Sequence, residues 1–466
     1  MVKRDLILDQ IEQMGAFLRK LVAKFSNSNS FNDGNEASNS VINELNDEIG
    51  FDLNLFLTLS VEDAKKYLSS YKFSEEHLET LSNLLVKLSV DATTKMEYLS
   101  KALLTLDFSD GISNTFSFER NNTKNKIKEL IKNKKKKKIA VVILNWNGAK
   151  LLEQFLPSIV AHSDEATVYV ADNASTDNSI EVIKQQFPSV KIIKNTDNFG
   201  FAKGYNEALK NVEEPYYALV NSDIEVTKNW LAPIINIFET EPKTAIIQPK
   251  LLDFKKKTHF EYAGGAGGFI DKYGYPFCRG RIFNTIEEDK NQYDDEIEIF
   301  WATGACFFIR KEVYRILNGF DDDFFAHQEE IDLCWRAFNL GYISKFTSKS
   351  IVYHVGGATL NEGNPKKTFL NFRNSLLMLV KNLPKKQLIS IIFTRMILDG
   401  LAGFQFILKG KFKHFFAILQ AHYSFYLLAH TFYKKRNSIQ KTNYFKIKSI
   451  VSRYFINNGK EFDKLF

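Results

Sequence analysis

The sequence predicts an α/β fold with a doubly wound, mostly parallel sheet, preceded by an all-helical module and followed by amphipathic helices. Three observations predict it. Residues 139–144 (IAVVIL) form an unbroken apolar run, which is typical of a strand buried on both faces of a parallel sheet. Strand-like and helix-like segments then alternate along the chain. Polar loops follow the strands, at the edge where open α/β sheets bind their ligands.

The alternation can be followed segment by segment. Strands are predicted at residues 139–144, 167–171, 190–193, 217–220, 306–309 and 351–353. Helices are predicted at residues 151–160, from residue 179 and around residues 203–210. Because helical stretches separate the early strands, the pattern favours parallel strands joined by crossover connections.

Polar side chains stand where the predicted strands end. Asn145 and Asp172 each follow a strand, and Asn198 lies at a strand–helix junction. Asp223 ends the triplet NSD that follows the strand at 217–220, where a carboxylate could hold a hard divalent cation that bridges two phosphates. For each of these residues an ordinary turn or capping role is the alternative.

A cluster of carboxylates and aromatic residues occupies residues 320–336 (FDDDFFAHQEEIDLCWR). Glu329, Glu330 and Asp332 fall at the start of a predicted helix, on which Glu329 and Asp332 share a face. Like charges held close together raise one another's proton affinity, so a carboxylate here can act as a base near neutral pH. The alternative is an acidic first turn that complements the helix dipole.

Seven motifs occur in the order seen in a known family. They are VVILNWNG, ADNASTDNS, NFGFAKGYN, LVNSD, TGACFFIR, GFDDDFFAHQEEIDLCWR and YHVGG. In these motifs the chain resembles the family 2 glycosyltransferases of GT-A fold, especially their bacterial rhamnosyltransferase-like branch. The resemblance covers residues 138–373, about half of the chain.

The resemblance implies a role for each matching position. The implied nucleotide-sugar-binding residues are Asn145, Trp146, Asp172, Asn198, Gly200 and Ser222. The implied metal ligands are Asp223 and His354, the implied catalytic base is Glu330, and the implied acceptor-side residues are Gly304, Glu329 and Asp332. Two positions depart from the family pattern: Asn221 stands where a first Asp is common, and Glu330 replaces the usual Asp and reaches one methylene farther.

These roles together imply an inverting, metal-dependent enzyme. It would move a sugar from a nucleotide-diphosphate sugar to a hydroxyl of a lipid-linked or oligosaccharide acceptor, with Mg²⁺ or Mn²⁺ as cofactor and a cell-surface glycan as product. A nucleotidyltransferase is one alternative, although the chain lacks the basic Gly-rich phosphate loop typical of that class. A catalytically silent scaffold that binds a glycan or a protein partner is another.

The composition excludes several other classes. The three cysteines, Cys278, Cys306 and Cys334, are far apart and odd in number, which argues against a disulfide framework or a zinc site and favours a reducing compartment. The N-terminal segment MVKRDLILDQ carries charges through its apolar stretch and does not read as a signal peptide. A cytoplasmic enzyme is therefore expected.

Basic charge is concentrated at the C-terminal end. Residues 366–466 hold 19 Lys and Arg against 3 Asp and Glu, a net charge of +16, which leaves −9 for the rest of a chain whose total is +7. Arg395 and Asp399 interrupt the apolar stretch at 388–408, so no run approaches the ~18 residues of a membrane span. Basic residues interleaved with aromatic ones suit peripheral, amphipathic helices attracted to anionic lipid, and the same composition could bind nucleic acid. The resemblance implies a membrane-bound, lipid-linked acceptor, so we expect the tail to bind the inner face of a bacterial membrane and not a nucleic acid. A helical subdomain packed on the catalytic core is the alternative.

The N-terminal residues form a separate prediction. Residues 1–120 show helical spacing of apolar side chains without a catalytic constellation, and we interpret them as a helical module that either binds a protein partner or is a structural appendage. Residues 121–138 end in five consecutive lysines and are predicted to be a solvated basic linker. The sheet domain is assigned to residues 139–365 and the basic tail to 366–466.

Overall fold

The structure is a computed structural model that describes residues 2–27, 34–89, 95–113, 117–135, 137–356 and 363–466. The chain forms two compact units, Met1–Lys136 and Lys137–Phe466.

The first unit is helical, as predicted. Its described helices are α1 (Val2–Asn27), α2 (Gly34–Ile49), α3 (Leu53–Thr58), α4 (Val61–Ser69), α5 (Glu75–Leu88), α6 (Lys95–Ile112) and α7 (Phe118–Lys135). The side chain of Ser74 accepts a hydrogen bond from the backbone N–H of His77 and so caps α5. Every third or fourth side chain of α5 is buried against the other helices, which is the periodicity that predicted it.

The stretch at 121–138 differs from the solvated linker that was predicted, because α7 continues to Lys135. Charge pairing explains the difference. The buried guanidinium of Arg120 lies 2.9 Å from the carboxylate of Asp110, and Lys124 pairs with the same carboxylate. These pairs and the buried side chain of Ile127 hold the first half of α7 against the other helices of the first unit.

The second unit is built on a mixed sheet. Its described strands are β1 (Ile139–Asn145), β2 (Ala166–Asp172), β3 (Lys191–Lys194), β4 (Tyr216–Asn221), β5 (Ile224–Val226), β6 (Thr244–Asp253), β7 (Gly268–Ile270), β8 (Pro276–Cys278), β9 (Arg281–Ile282), β10 (Thr285–Ile286), β11 (Glu296–Ile299), β12 (Cys306–Arg310) and β13 (Ile343–His354). The main sheet has the order β11-β13-β6-β12-β4-β1-β2-β3, with β5 beside β13, and β10-β9-β8-β7 form a small second sheet.

Helices cover both faces of the main sheet. The α-helices of this unit, within its described residues, are α8 (Ala149–Ala161), α9 (Ser179–Gln186), α10 (Gly200–Ala208), α11 (Ala232–Thr240), α12 (Lys311–Ile316), α13 (Glu329–Asn339), α14 (Pro365–Asn382), α15 (Lys385–Leu408), α16 (Phe412–Lys434) and α17 (Ile450–Phe455). Side chains of β1 alternate between two hydrophobic cores: Val142 enters one, and Val141 and Ile143 enter the other. The apolar run of β1 is therefore unbroken because both faces of the strand are buried, as the sequence predicted.

Strand direction agrees with the predicted α/β fold. The pairs β3–β2, β2–β1 and β1–β4 are parallel, and so is β6–β13, whereas β12 runs antiparallel between β4 and β6. The predicted GT-A arrangement of a mostly parallel, doubly wound sheet is confirmed. Its consequence for function is that β1, β2 and β4 end at the same edge.

The basic tail is part of the second unit and not an appended segment. Helix α14 packs against α13 and α16, and its side chains Leu376, Leu377 and Leu379 are fully buried in the main core. The boundary predicted at residue 366 therefore falls inside a compact body. Apolar side chains that α14 shares with the sheet domain could not be distinguished in sequence from the exposed apolar side chains of the same tail.

Candidate active site

One corner of the polar sheet edge is built by the ends of β1 and β2. The parallel register places Asn145 opposite Asp172, and the Asn145 amide donates to the Asp172 carboxylate at 3.0 Å and to the Ser175 hydroxyl at 3.1 Å. The backbone N–H of Ser175 donates to the other carboxylate oxygen of Asp172 at 3.0 Å. The buried Oδ1 of Asn145 has no protein partner, so it is an acceptor aimed into the edge that a ligand donor can satisfy.

The loop around this corner uses residues that sequence reasoning did not single out. Asn147, in a left-handed conformation with φ 51°, accepts from the backbone N–H of Thr176 at 2.7 Å. The Asp177 carboxylate accepts from the backbone N–H of Ala149 at 3.0 Å, at the start of α8. The signals were the motif VVILNWNG, which contains Asn147, and the polar loop ADNASTDNS, which contains Asp177, and the sequence analysis used both only as motifs. Trp146 lies beside them with half of its surface exposed, where a ring can stack on a flat ligand.

Glycine at position 148 keeps this corner open. A Cβ built there would collide with the side-chain oxygen of Asn145, and Ser222 lies 3.9 Å from the same point. Ser222 therefore faces the corner across from Asn145. The structure thus brings Asn145, Asp172 and Ser222, three of the predicted nucleotide-sugar residues, together at one edge.

A second corner joins the start of α10 to the acidic loop. Gly200 has φ +71°, and a Cβ there would lie 2.8 Å from the ring of Phe325. The backbone N–H of Phe201 donates to the Phe325 carbonyl at 3.2 Å, while Asn198 accepts from the backbone N–H of Gly200 at 3.1 Å. Only glycine permits this close approach. Asn198 and Gly200 therefore connect the start of α10 to the loop that precedes the carboxylates.

The ends of β4 and β13 hold a buried acid–histidine cluster. Antiparallel pairing of β13 with β5 places His354 opposite Ile224, next to Asp223. Nε2 of His354 lies 3.2 Å from Asp223 Oδ1, and its Nδ1 lies 3.1 Å from Glu261 Oε1. Burial opposes protonation of the imidazole, but the two carboxylates outweigh it and raise the pKa of His354 to about 10. Glu261 was not singled out from the sequence.

The cluster suits a cation only when a phosphate ligand shares it. Within the described residues no group of three His, Cys, Asp or Glu side chains is arranged to hold a metal ion by itself. Asp223 and His354 place one carboxylate oxygen and one ring nitrogen side by side, and a cation bound between them would displace the imidazole proton that the two carboxylates otherwise stabilise. Mg²⁺ and Mn²⁺ in phosphate-handling sites usually take one or two protein ligands and complete their shell with phosphate oxygens and water. The residues present fit that mode of binding.

Glu329 and Glu330 form a coupled pair of carboxylates at the start of α13. Burial raises the pKa of Glu330 to about 7, and burial together with the neighbouring Glu330 raises the pKa of Glu329 well above its ordinary value. Each has one buried carboxylate oxygen without a protein partner. A carboxyl group with a pKa near neutrality is suited to accept and release a proton.

The loop before this pair is strained and is held by the tail. Phe325, His327 and Gln328 all have positive φ angles, between 62° and 75°. The buried amide of Asn374, on α14, donates to the carbonyls of Phe324, Ala326 and His327 at 3.0, 2.9 and 2.8 Å. Strain of this kind persists only where surrounding contacts enforce it, and it is concentrated at functional sites. Asn374 was missed because no local pattern links it to a loop about 50 residues earlier.

Asp332 has a structural role, which differs from the acceptor-side role that was predicted. Its side chain is fully buried, and its oxygens accept from Arg336 at 2.7 Å, Lys381 at 2.9 Å and Asn382 at 2.8 Å. Burial disfavours its charge, but Arg336 and Lys381 keep its pKa below the ordinary value. A carboxylate enclosed by three donors of the protein has no free face for an acceptor.

Gly304 lies against α10. A Cβ at this position would meet the ring of Phe201 at 3.1 Å. The preceding residue, Thr303, is held by a hydrogen bond from its backbone N–H to the side chain of Gln248 at 3.0 Å. Gly304 therefore sits on the floor below α10, close to the loop that precedes Glu329.

Fold and site together define a class of protein. A mixed sheet of this order, with polar side chains at the ends of β1, β2 and β4 and a carboxylate pair beside them, agrees with the GT-A arrangement that the sequence resemblance implies. Residues 140–317 match the family model described as Glycosyl transferase family 2. The matched segment lies within the region in which the motifs resemble that family.

Two curated proteins show the similarity in sequence. N-acetylglucosaminyl-diphospho-decaprenol L-rhamnosyltransferase of Mycobacterium tuberculosis (strain CDC 1551 / Oshkosh) is 21% identical over 235 residues, which are 46% of this chain and 75% of that protein. Rhamnosyltransferase WbbL of Escherichia coli (strain K12) is 23% identical over 227 residues, 46% of this chain and 84% of that protein. Among solved structures, S. aureus TarS 1-349 aligns with 15% identity and a TM-score of 0.43 over 63% of this chain and 80% of that chain.

Proposed function

We propose that the chain is an inverting glycosyltransferase that moves a sugar from a nucleotide-diphosphate sugar to a hydroxyl of a lipid-linked acceptor of a cell-surface glycan. One observation carries the proposal. The carboxylate of Glu330, with its pKa raised to about 7, follows a strained loop that packs against Gly200 of the donor-side helix. A base poised near neutral pH beside a nucleotide-binding edge is what proton removal from an acceptor alcohol requires.

The proposed reaction assigns each group a task. Glu330 takes the proton of the acceptor hydroxyl while the hydroxyl oxygen attacks the anomeric carbon. The bond from that carbon to the diphosphate oxygen breaks, and its electron pair leaves with the nucleoside diphosphate. Attack opposite to the leaving group inverts the configuration. A divalent cation held by Asp223 and His354 would neutralise charge on the diphosphate.

The nucleotide end of the donor is assigned to the first corner. Asn145 offers its unpaired Oδ1 as an acceptor for a donor group of the nucleoside. Asp172 shapes the loop that receives the base, and Trp146 supplies an exposed ring on which the base can stack. Gly304 leaves room on the acceptor side of α10.

A lipid-linked acceptor and a peripheral place on the inner face of a bacterial membrane complete the proposal. The name of the Mycobacterium tuberculosis relative specifies a diphospho-decaprenol acceptor. The +16 charge of residues 366–466 supports attraction to an anionic lipid surface, where such acceptors reside.

The test compares Glu330→Gln with Glu329→Gln. The full chain is incubated with UDP-, GDP- and dTDP-sugars and Mg²⁺ or Mn²⁺, and the release of nucleoside diphosphate and free sugar is measured. We expect Glu330→Gln to lower turnover about 10²- to 10⁴-fold, the range for loss of a positioned base, and Glu329→Gln to lower it less. If Glu330→Gln releases product at the parent rate while Glu329→Gln releases none, the catalytic base is Glu329 and not Glu330.

The products also separate the alternatives. A nucleotidyltransferase attacks the α-phosphate and would leave a nucleoside monophosphate attached to the acceptor, with no free diphosphate from the sugar nucleotide. A non-catalytic scaffold would release nothing from any donor, although a bound donor would still raise its melting temperature.

A further inference from the structure

Helix α15 carries a stripe of exposed apolar side chains along its whole length. They recur every three or four residues, which places them on one helical face. The exposed fractions are 84% for Ile389, 67% for Phe393, 52% for Ile397, 62% for Leu401, 57% for Phe404 and 72% for Leu408. Large apolar side chains scattered singly over a surface are ordinary, but a contiguous row of them marks an interaction surface.

Helix α16 continues this surface. Its exposed apolar side chains follow the same spacing and are Phe412, Phe416, Leu419, Tyr423, Tyr426, Leu427 and Tyr433. Because α15 and α16 pack against each other, the two rows form one surface, which we call the hairpin outer face. A groove of about 470 Å³ opens on it between α14, α15 and α16, with Ile389, Phe393 and Tyr426 among its lining residues.

The opposite face of α15 is anchored to the sheet domain by charge. Arg395 and Asp399 are 2% and 1% exposed. The Arg395 guanidinium stacks 3.9 Å from the ring centre of Tyr275 and donates to the Tyr273 carbonyl at 3.1 Å, and the Tyr275 hydroxyl donates to Asp399 at 3.2 Å. The two residues that interrupt the apolar run in sequence therefore hold α15 against the segment between β7 and β8.

Two arrangements in a membrane are open to a helix of this length. Lys385–Leu408 is the one helix in the described part of the chain that is long and apolar enough to cross a bilayer. To span it, α15 would have to pull Arg395 and Asp399 away from Tyr273 and Tyr275 and carry both charges into hydrocarbon, at a cost of several kcal/mol. Lying in the plane of the interface leaves those contacts intact and still buries the outer stripe.

Basic residues are placed for the second arrangement. Exposed lysines stand at both ends of the hairpin: Lys385 and Lys386 at the start of α15, Lys409, Lys411 and Lys413 at the turn, and Lys434 at the end of α16. Tyrosines of the outer face are the side chains that prefer the headgroup level. An apolar face bordered by lysines and tyrosines is complementary to an anionic lipid surface.

We propose that the α15–α16 hairpin lies flat in the lipid–water interface, with its outer face in the headgroup and acyl boundary of an anionic bilayer, and does not cross the membrane. The inference deepens the proposed function and rests on it, because it identifies the surface that holds the enzyme beside a lipid-linked acceptor. The Asn374, Lys381 and Lys435 side chains link α14 and α16 to the loop before Glu330, so the same helices connect the lipid surface to the active site.

Flotation with vesicles tests the surface. The full chain is mixed with phosphatidylcholine vesicles that either contain or lack about 30% of the anionic lipid phosphatidylglycerol. We expect the parent chain to float with the anionic vesicles, and the double variant Phe393→Glu/Leu401→Glu to float at least tenfold less. The matched control is Ile316→Glu, a change at a 55% exposed apolar side chain of α12, which should float like the parent.

Two flotation results would overturn the proposal. One is a parent chain that stays at the bottom of the gradient with both vesicle types. The other is a double variant that floats as the parent does. Melting curves of all three proteins accompany the assay, and if the double variant does not fold, Lys409→Gln/Lys411→Gln/Lys413→Gln at the exposed turn replaces it, with reduced flotation expected on anionic vesicles.

Depth distinguishes lying from spanning. Cys278, Cys306 and Cys334 are buried free thiols, so a maleimide fluorophore should label an added surface cysteine selectively. Ile397→Cys marks the middle of α15 and Leu408→Cys marks its end. If the helix lies in the interface, a spin label near the headgroup should quench both fluorophores equally. If only the fluorophore at Ile397→Cys is quenched by a spin label deep in the acyl chain, the helix spans the bilayer and the proposal is contradicted.

Catalysis and membrane binding can fail separately in these experiments. Glu330→Gln should float as the parent does, because flotation requires neither donor nor base. If the parent floats but no sugar nucleotide is hydrolysed, the proposed function fails while the lipid surface stands. If the parent hydrolyses a sugar nucleotide but does not float, the proposed lipid surface fails while the proposed function stands.

Discussion

At the residue scale, the neighbouring carboxylates Glu329 and Glu330 show how burial creates reactivity. Both begin α13 as an acidic first turn, which the sequence could equally explain by the helix dipole. The structure adds what decides the chemistry: each carboxylate keeps a buried oxygen without a protein partner, and burial raises both pKa values. Asp332, three residues after Glu329, is buried too but is neutralised by Arg336 and Lys381.

The rate should depend on pH through Glu330. A base acts only when deprotonated, and its pKa is raised to about 7. We therefore expect kcat/KM for donor hydrolysis to rise with pH and to level off above about pH 7, measured from pH 5.5 to 9. A flat profile across this range would contradict the assignment.

The raised pKa of Glu330 should also make the folded protein less stable at high pH. The folded protein holds the Glu330 proton more tightly than the unfolded chain, so this group's contribution to stability is present below the unfolded pKa near 4.5 and is lost as pH rises through about 7. Glu330→Gln removes that loss. We expect it to melt above the parent at pH 8, with a smaller difference at pH 5. The exposed Glu312→Gln serves as control, and equal melting of parent and Glu330→Gln at pH 8 would argue against the raised pKa.

At the element scale, the loop before α13 shows that an active-site segment can be held by a distant helix. Three positive-φ residues without glycine would relax if left alone. Asn374 on α14 binds three carbonyls of that loop, and Lys381 on the same helix binds Asp321 and Asp332. The conformation of the loop is therefore a property of the tail as much as of its own sequence.

Asn374→Leu tests this support. The change removes a side-chain donor from three loop carbonyls, of which the Phe324 carbonyl keeps the backbone N–H of Ala326, and it should cost about 1–3 kcal/mol of stability. Because Asn374 acts through the loop, we expect a lower kcat, at least tenfold, with little change in the KM for donor. Asn371→Leu on the same helix is the matched control. A variant that loses stability but keeps the parent kcat would limit Asn374 to a structural role.

At the scale of the whole molecule, the basic tail belongs to the catalytic unit. Its inner side chains complete the main core, and its outer side chains form the hairpin outer face. A chain ending at residue 365 would expose the core side chains that pack against Leu376. It would also lose the hydrogen bonds that Asn374 and Lys381 donate to the loop before α13. We expect it to lose sugar-nucleotide hydrolysis and to aggregate or melt well below the full chain. A truncated protein that hydrolyses the donor at the parent rate would show that the tail serves attachment alone.

The sequence by itself determined the sheet and its polar edge. Buried strands require apolar runs, and turns at the strand ends require polar residues, so β1, β2 and β4 and the positions of Asn145, Asp172 and Asp223 can be read locally. Ordered motifs then indicated the family. Only the tertiary structure decided the roles of Asp332, Glu261, Asn374 and α14, because contacts between side chains far apart in the chain leave no periodic trace. The same holds for Arg395 and Asp399, because their structural role depends on contacts with Tyr275, more than 100 residues away in the sequence.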